Sequence, residues 1–427
     1  MRLIDVHTRE FKVWEDDRKT PPYAVLSHTW SGSEVSMQEY QDSIAAGNHQ
    51  NDEKLRSRPG FQKIDAVCKL AAKRKLSYVW VDTCCIDKAS SAELTEAINS
   101  MFRWYRNADV CYVHLEDVQI PLDGPDSIVT IAEQRSLLQH ARWFTRGWTL
   151  QELIAPRDME FYDKNWTWIG TKKRLLRILS GITGIGEAIL EGANINNVSV
   201  ATRMGWAAGR HTTRVEDLAY SLLGLFDVNM PLLYGEGERA FKRLQAEILQ
   251  QNDDSSLFAW QPSKVFSGRP DLLEQVATDT GISVLAQCAD EFLGFQEQNP
   301  LPVGGEMSIA GGKGVKLEVP LFKIEGTAKS KLRVAVLNWK TCKDDEAEDR
   351  YGVVVQKLSP GHFMRHPSAP LVRIKALKIK EFDVRTIYIR TIITNKKPPP
   401  SNSYRPHWNF KAGRTIALAI EWYQSTA

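Results

Sequence analysis

Four short apolar runs punctuate the first third of the chain: Tyr23–His28, Tyr78–Thr83, Val110–Leu115 and Met159–Tyr162. Between them lie stretches that repeat at helical spacing, and few folds accommodate that alternation. Phe61, Ile64, Val67, Cys68, Leu70 and Ala71 mark a helix over 61–75, closed by Lys73-Arg74-Lys75 at the negative end of its dipole. Ser90-Ser-Ala-Glu93 fits a capping box, after which Leu94, Ile98, Met101 and Tyr105 share one face. A further helix over 143–155 stops at Pro156. Strand, helix and strand in this order predict parallel strands joined by right-handed crossovers, that is, a doubly wound α/β sheet with flanking helices. Residues 3–14 read as a short strand or hairpin ahead of it, and the polar stretch 41–60 as an inserted loop.

The pattern then changes twice. Helical periodicity dominates from about 170, at Lys172–Ser180, Ser199–Ala208, Val215–Phe226 and Glu236–Gln250. Gly235-Glu-Gly237 follows a proline-containing loop rather than a strand, so it reads as a helix start and not as a dinucleotide fingerprint. After Trp260, alternating runs recur at Val315–Val319, Leu332–Val336, Gly352–Val355, Leu371–Ile374, Thr386–Ile389 and Thr415–Ile420. Their spacing predicts a small antiparallel sandwich or barrel. Three parts follow: an α/β domain at 1–170, a helical extension packed on it at 171–260, and a β-rich C-terminal domain at 261–427.

Bulk properties exclude several function classes. The 427 residues carry 55 Lys and Arg against 52 Asp and Glu, a net charge of +3 that asks for neither a nucleic-acid nor a membrane partner. Lys396-Lys397, beside Pro398–Pro400, reads as a solvated loop. The six cysteines (68, 84, 85, 111, 288 and 342) form no CxxC pair and have no histidines at zinc spacing. They read as reduced and structural, with no metal site. No signal-peptide core follows Met1 and no run of about 18 apolar residues occurs, so a cytoplasmic protein is expected.

Ligands of open α/β sheets sit beyond the carboxyl ends of the strands. That rule gathers Ser27, His28, Asp82 and Glu152 around one crevice. Glu152 follows Trp148 by four residues, on one helical face, with Arg146 leading into the helix. Trp143, Phe144 and Trp148 make an apolar setting in which a carboxylate needs a reason; otherwise it is a solvated helix residue. Asp82 and Asp87 suit ribose hydroxyls or loop positioning, and equally suit turns and a helix approach. His28 and Trp30 suit a ligand's base or phosphates, and equally suit packing under the sheet edge. Thr212–Asp217 reads as a capped helix start in which Arg214 pairs with the two acids. A lone carboxylate suffices for one chemistry: with a leaving group that is already cationic, such as nicotinamide on ribose, no general acid is required.

The segments Tyr23–Trp30, Tyr78–Ala108 and Arg146–Pro156, followed by Trp206-Ala-Ala and Thr212–Phe226, resemble the fungal heterokaryon-incompatibility (HET) domain family over roughly residues 20–260. The resemblance implies a role in cell death after fusion of incompatible strains. HET domains in turn resemble TIR domains, which implies a TIR-like (flavodoxin-like) sheet. In catalytic TIR domains the key glutamate follows a tryptophan by four residues, on the helix after the third strand, as Glu152 follows Trp148. The resemblance therefore implies NAD as substrate rather than cofactor, cleavage of its nicotinamide–ribose bond with Glu152 as the catalytic group, and activity completed by self-association, with an incompatibility partner protein as a possible trigger. Ser27, His28, Trp30, Asp82, Asp87, Arg146 and Trp148 are the expected substrate-binding residues. The stretch 31–60 is longer than TIR domains carry, and nothing after 260 shares the resemblance. Two other readings stay open: a non-catalytic module acting by homotypic association, and a glycohydrolase of another nucleotide.

Overall fold

The computed structural model describes residues 1–45, 53–121, 130–261 and 285–294. Beyond these it describes 307–309, 315–323, 332–340, 350–365, 371–374, 384–389 and 420–422. The chain divides into two compact units, Met1–Ile195 with Arg210–Gly235, and Asn196–Gly209 with Glu236–Ala427.

The first unit is built on a seven-stranded sheet of β1 (Arg2–Asp5), β2 (Phe11–Val13), β3 (Tyr23–His28), β4 (Tyr78–Trp80), β5 (Val110–His114), β6 (Met159–Tyr162) and β7 (Trp168–Thr171). Their spatial order is β2-β1-β4-β3-β5-β6-β7. The four central strands are parallel, and β1 and β7 close the flanks antiparallel. Every residue of β3 and β5 is buried, as expected for parallel strands covered on both faces. The winding reverses at β3, which pairs with β4 on one side and β5 on the other. That reversal is the switch point where open α/β sheets take their ligands.

Helices α1 (Met37–Ala45), α2 (Glu53–Arg56), α3 (Pro59–Lys73), α4 (Ser91–Asn107), α5 (Ile131–Leu138), α6 (Thr149–Ile154), α7 (Leu176–Thr183) and α8 (Glu187–Leu190) complete most of this unit. Several boundaries differ from expectation for identifiable reasons. The stretch 41–60 is not a plain loop, because it contains the end of α1, all of α2 and the start of α3; residues 46–52 lie outside the described residues. The strand expected over 78–83 ends at Trp80, because Val81 O accepts the Cys85 N–H at 2.8 Å and turns the chain. The helix expected over 143–155 is split into a 3-10 turn, Arg142–Thr145, and α6. Gly147 sits at the break, where a Cβ would lie 2.5 Å from Thr212 Cγ2. The capping box at Ser90 is half made: Ser90 Oγ accepts the Glu93 N–H at 3.3 Å. The Glu93 carboxylate instead accepts the Asp87 N–H at 2.8 Å and pairs with Arg2 at 2.6 Å. A complete box caps α5, between Thr130 and Glu133.

Later helices are α9 (Val200–Gly205), α10 (Asp217–Tyr220), α11 (Leu223–Phe226) and α12 (Arg239–Gln251), of which α10 and α11 belong to the first unit. Helix α11 meets α4 at Gly224, where a Cβ would lie 2.1 Å from Phe102 Cβ. Overpacking of this kind costs about 1–3 kcal/mol. Gly224→Ala should therefore lower the urea midpoint clearly, whereas alanine at Gly32, which meets nothing within 4 Å, should not.

The second unit carries β8 (Met307–Ile309), β9 (Val315–Lys323), β10 (Leu332–Lys340), β11 (Arg350–Ser359), β12 (His362–Arg365), β13 (Val372–Ile374), β14 (Val384–Ile389) and β15 (Ile420–Trp422). The pairings β9–β10, β10–β11, β11–β12, β12–β14 and β14–β9 close a ring, so five strands form a barrel. All but β12–β14 are antiparallel. On β12 the buried Arg365 donates to the carbonyls of Phe258 and Trp260 and lies over the Trp260 ring. Thr415–Ala419, Lys396–Pro400 and Cys342 lie outside the described residues. Cys68, Cys84, Cys85, Cys111 and Cys288 are free thiols. Among the described residues no helix is long and apolar enough to cross a membrane, and no cluster of metal-ligating side chains occurs.

Candidate functional site

The last residues of β3 point their side chains in alternate directions, and each finds a different polar neighbourhood. Ser27 Oγ donates to Glu152 Oε2 at 2.5 Å and accepts the Trp143 indole N–H at 2.8 Å. With the indole donating, the serine's own hydrogen is directed at the carboxyl. His28 lies between two acids, its Nδ1 3.9 Å from Asp82 Oδ1 and its Nε2 3.4 Å from Glu34 Oε2. Asp82, just past β4, accepts the Trp30 indole N–H at 2.8 Å. Trp30 is 46% exposed, with Lys88 Nζ 3.6 Å over its ring.

Glu152 projects from α6 and is only 3% exposed. Burial first, and the negative charge of Asp82 second, push its carboxyl up to about 8, although the hydrogen bond from Ser27, the neighbouring Tyr105 hydroxyl and the charge of Arg146 pull the other way. At neutral pH the resting carboxyl therefore carries its proton. Tyr105, on α4, directs its one hydroxyl hydrogen at Leu26 O, at 3.0 Å. Because the folded state keeps a proton that the unfolded chain releases, Glu152 contributes stability that is full below its ordinary value of 4.5 and lost as pH rises through about 8. Urea midpoints should thus fall between about pH 5 and 8 more steeply in the parent chain than in Glu152→Gln, and run parallel above that. The separation should approach a few kcal/mol, at about 1.4 kcal/mol per pH unit of displacement.

Six of the expected residues fall into two neighbouring groups, Ser27 with Glu152, and His28 and Trp30 with Asp82, whose charge acts on Glu152 as does that of Arg146. Arg146 bonds Thr213 Oγ1 at 3.4 Å while its charge acts on Glu152. The remaining two are engaged elsewhere. Asp87 accepts the Ala89 N–H at 2.9 Å in the approach to α4, so its carboxylate serves the turn. Trp148, at the N-cap of α6, acts on the Asp217 carboxyl, holding it down against burial. In the Thr212–Asp217 motif the acids bond Tyr234 and Gly235, at 3.0 and 2.8 Å, and Arg214 lies over the Tyr234 ring.

Other residues at this sheet edge were not singled out by the sequence. Lys63 is buried within α3 and donates to Thr29 O at 3.0 Å, Glu34 at 2.7 Å and Glu116 at 3.5 Å. Its signal was its place four residues before Val67, on the apolar stripe, where a lysine is out of pattern. Arg210 and Lys172 are also buried, near the ends of α6, and no local pattern marks either. Gly60 lets α3 approach the Glu34 loop: a Cβ there would lie 2.6 Å from Ser33 O.

Residues 23–121 match the heterokaryon incompatibility protein (HET) family, and residues 239–296 match a domain of unknown function (DUF8212). The HET match covers Ser27, His28, Trp30, Asp82 and Asp87 and ends before Arg146–Glu152. Over 233 residues, 54% of the chain, the sequence is 46% identical to the vegetative incompatibility protein HET-E-1 of Podospora anserina. That stretch covers 16% of the relative's own length. No solved structure matches the chain.

Proposed function

Because the chain belongs to the heterokaryon incompatibility family through its HET domain, we propose that it is a cell-death effector of fungal incompatibility that cleaves NAD at the nicotinamide–ribose bond, on a TIR-like sheet. The observation that carries this reading is a buried Glu152 held by Ser27 beside Asp82 at the carboxyl edge of the parallel strands. Two acids whose charges oppose each other in a buried site favour a ligand with fixed positive charge. An N-ribosylpyridinium supplies that charge and a neutral nucleoside does not. As the pyridinium arrives, its charge stabilises the ionised carboxylate, which then stabilises the oxocarbenium-like transition state. The C1′–N bond breaks with its electron pair going to the ring nitrogen, so nicotinamide leaves neutral. Water adds to C1′ and releases a proton, leaving ADP-ribose. Trp30, exposed and anchored to Asp82, offers a stacking surface for a base.

The purified chain, incubated with NAD, NADH or a neutral purine nucleoside, tests the substrate class. Nicotinamide should be released from NAD alone, at a rate per molecule that rises with protein concentration if association completes the site. Equal cleavage of the neutral nucleoside would contradict the reading. No release from any of them, at concentrations where the chain self-associates, would favour a non-catalytic homotypic module. Under the proposed chemistry kcat/KM should also rise with pH toward a plateau above about 8, the pH at which the free enzyme's Glu152 ionises.

A further inference from the structure

Helix α6 is only six residues long, too short to hold its direction by its own hydrogen bonds. Two buried cations meet its ends. At the C-terminal end Lys172 Nζ donates to Leu153 O at 2.7 Å and Pro156 O at 2.8 Å. Its own backbone is fixed just beyond β7, where the Lys172 N–H bonds Met159 O at 2.9 Å. A cation there complements the helix dipole. At the other end Arg210 Nη1 donates to Arg146 O at 3.0 Å and Thr149 Oγ1 at 3.2 Å. A cation beside a helix N-terminus opposes the dipole, so the helix alone does not account for its place there. When Glu152, one turn along the same helix, loses its proton, its negative charge acts on the Arg210 guanidinium.

We propose that Arg210 and Lys172 are positioning residues for Glu152, clamping both ends of its helix, with Arg210 also supplying the positive charge that meets the carboxylate when it ionises. The proposal rests on the reading of Glu152 as the reacting carboxylate. Ser27 on β3 bonds Glu152, and the groups coupled to it electrostatically include Asp82 after β4, Tyr105 on α4, Cys111 on β5, and Arg146 and Arg210. Of these cations Arg210 is the buried one, since Arg146 is part-exposed and also bonds Thr213. The Lys172 ammonium is itself pushed down to about 8 by burial, and it donates to the two carbonyls.

The test uses the full chain with Arg210→Met, Arg210→Lys, Lys172→Met and Lys172→Arg, each with and without Glu152→Gln. Nicotinamide release from NAD is followed across pH, together with urea midpoints over the same range. Both methionine variants should lose kcat by about 10²-fold with KM nearly unchanged, the effect expected of a misdirected catalytic group. Arg210→Lys and Lys172→Arg should recover part of it. In the urea data, the pH-dependent difference made by Glu152→Gln should move to higher pH in Arg210→Met. Lys172→Met should show a non-zero coupling to Glu152→Gln. Methionine variants that lose stability but keep kcat and pH profile would overturn the proposal, as would superimposable urea difference curves with zero coupling. If the parent chain released no nicotinamide, the reading of Glu152 would fail, and the urea couplings would still decide whether the two cations hold that carboxyl.

Discussion

Lys63→Met should cost the first unit roughly 3–5 kcal/mol, the usual penalty for removing one partner of a buried charge network. Lys63 is almost fully buried, and its ammonium holds Thr29 O, Glu34 and Glu116 together under the carboxyl edge of the sheet. Burial alone would push the Glu34 carboxyl up. The hydrogen bonds and charges of His28 and Lys63 outweigh it and hold the group well below the usual carboxylate range. Glu34 therefore contributes stability that is present above its ordinary value and lost as pH falls. Methionine fills similar volume without any donor, leaving Glu34 charged and its partner gone. Urea unfolding followed by circular dichroism should show the loss at pH 7, and adding Glu34→Gln should restore part of it. An exposed pair such as Arg18–Asp16, with the arginine 84% exposed, should leave the midpoint unchanged when broken. A Lys63→Met chain as stable as the parent would mean that the network is not buried as described.

The second large effect belongs to Glu152. Glu152→Gln should lower nicotinamide release on the order of 10³-fold, comparable to removing a group aimed at transition-state charge. Glutamine preserves volume and can accept from Ser27, so the α6 helix and its cations should stay in place. Because Gln cannot ionise, the loss should persist at every pH and not recover above 8. Ser27→Ala should cost less, about tenfold, the worth of one hydrogen bond, because burial and Asp82 still set the carboxyl's environment.

The residues that announced the fold did so because burial on both faces writes a continuous apolar run. Tyr23–His28 and Val110–His114 are such strands, and both were legible. Helix α1 was not, because only Tyr40 and Ser43 of its nine residues are buried, leaving a polar sequence with little periodicity. The break at Gly147 depends on Thr212, far along the chain, and spacing says nothing of such approaches. The barrel strands were visible as alternation, whereas the β10–β11 pairing that closes the ring was not. At the site, the Trp148–Glu152 spacing drew attention to a carboxylate that is buried and bonded to Ser27, while the Trp148 indole acts on Asp217. Lys63, Arg210 and Lys172 draw their roles from burial against distant backbone, which composition and local pattern do not encode.

The most direct measurement is nicotinamide released from NAD by the purified chain and by Glu152→Gln at matched concentration, with circular dichroism and urea midpoints recorded on both. The account predicts release by the parent chain, with a rate rising as pH approaches 8, and release near the uncatalysed level from a variant that is folded. Equal release from the two folded proteins would contradict it.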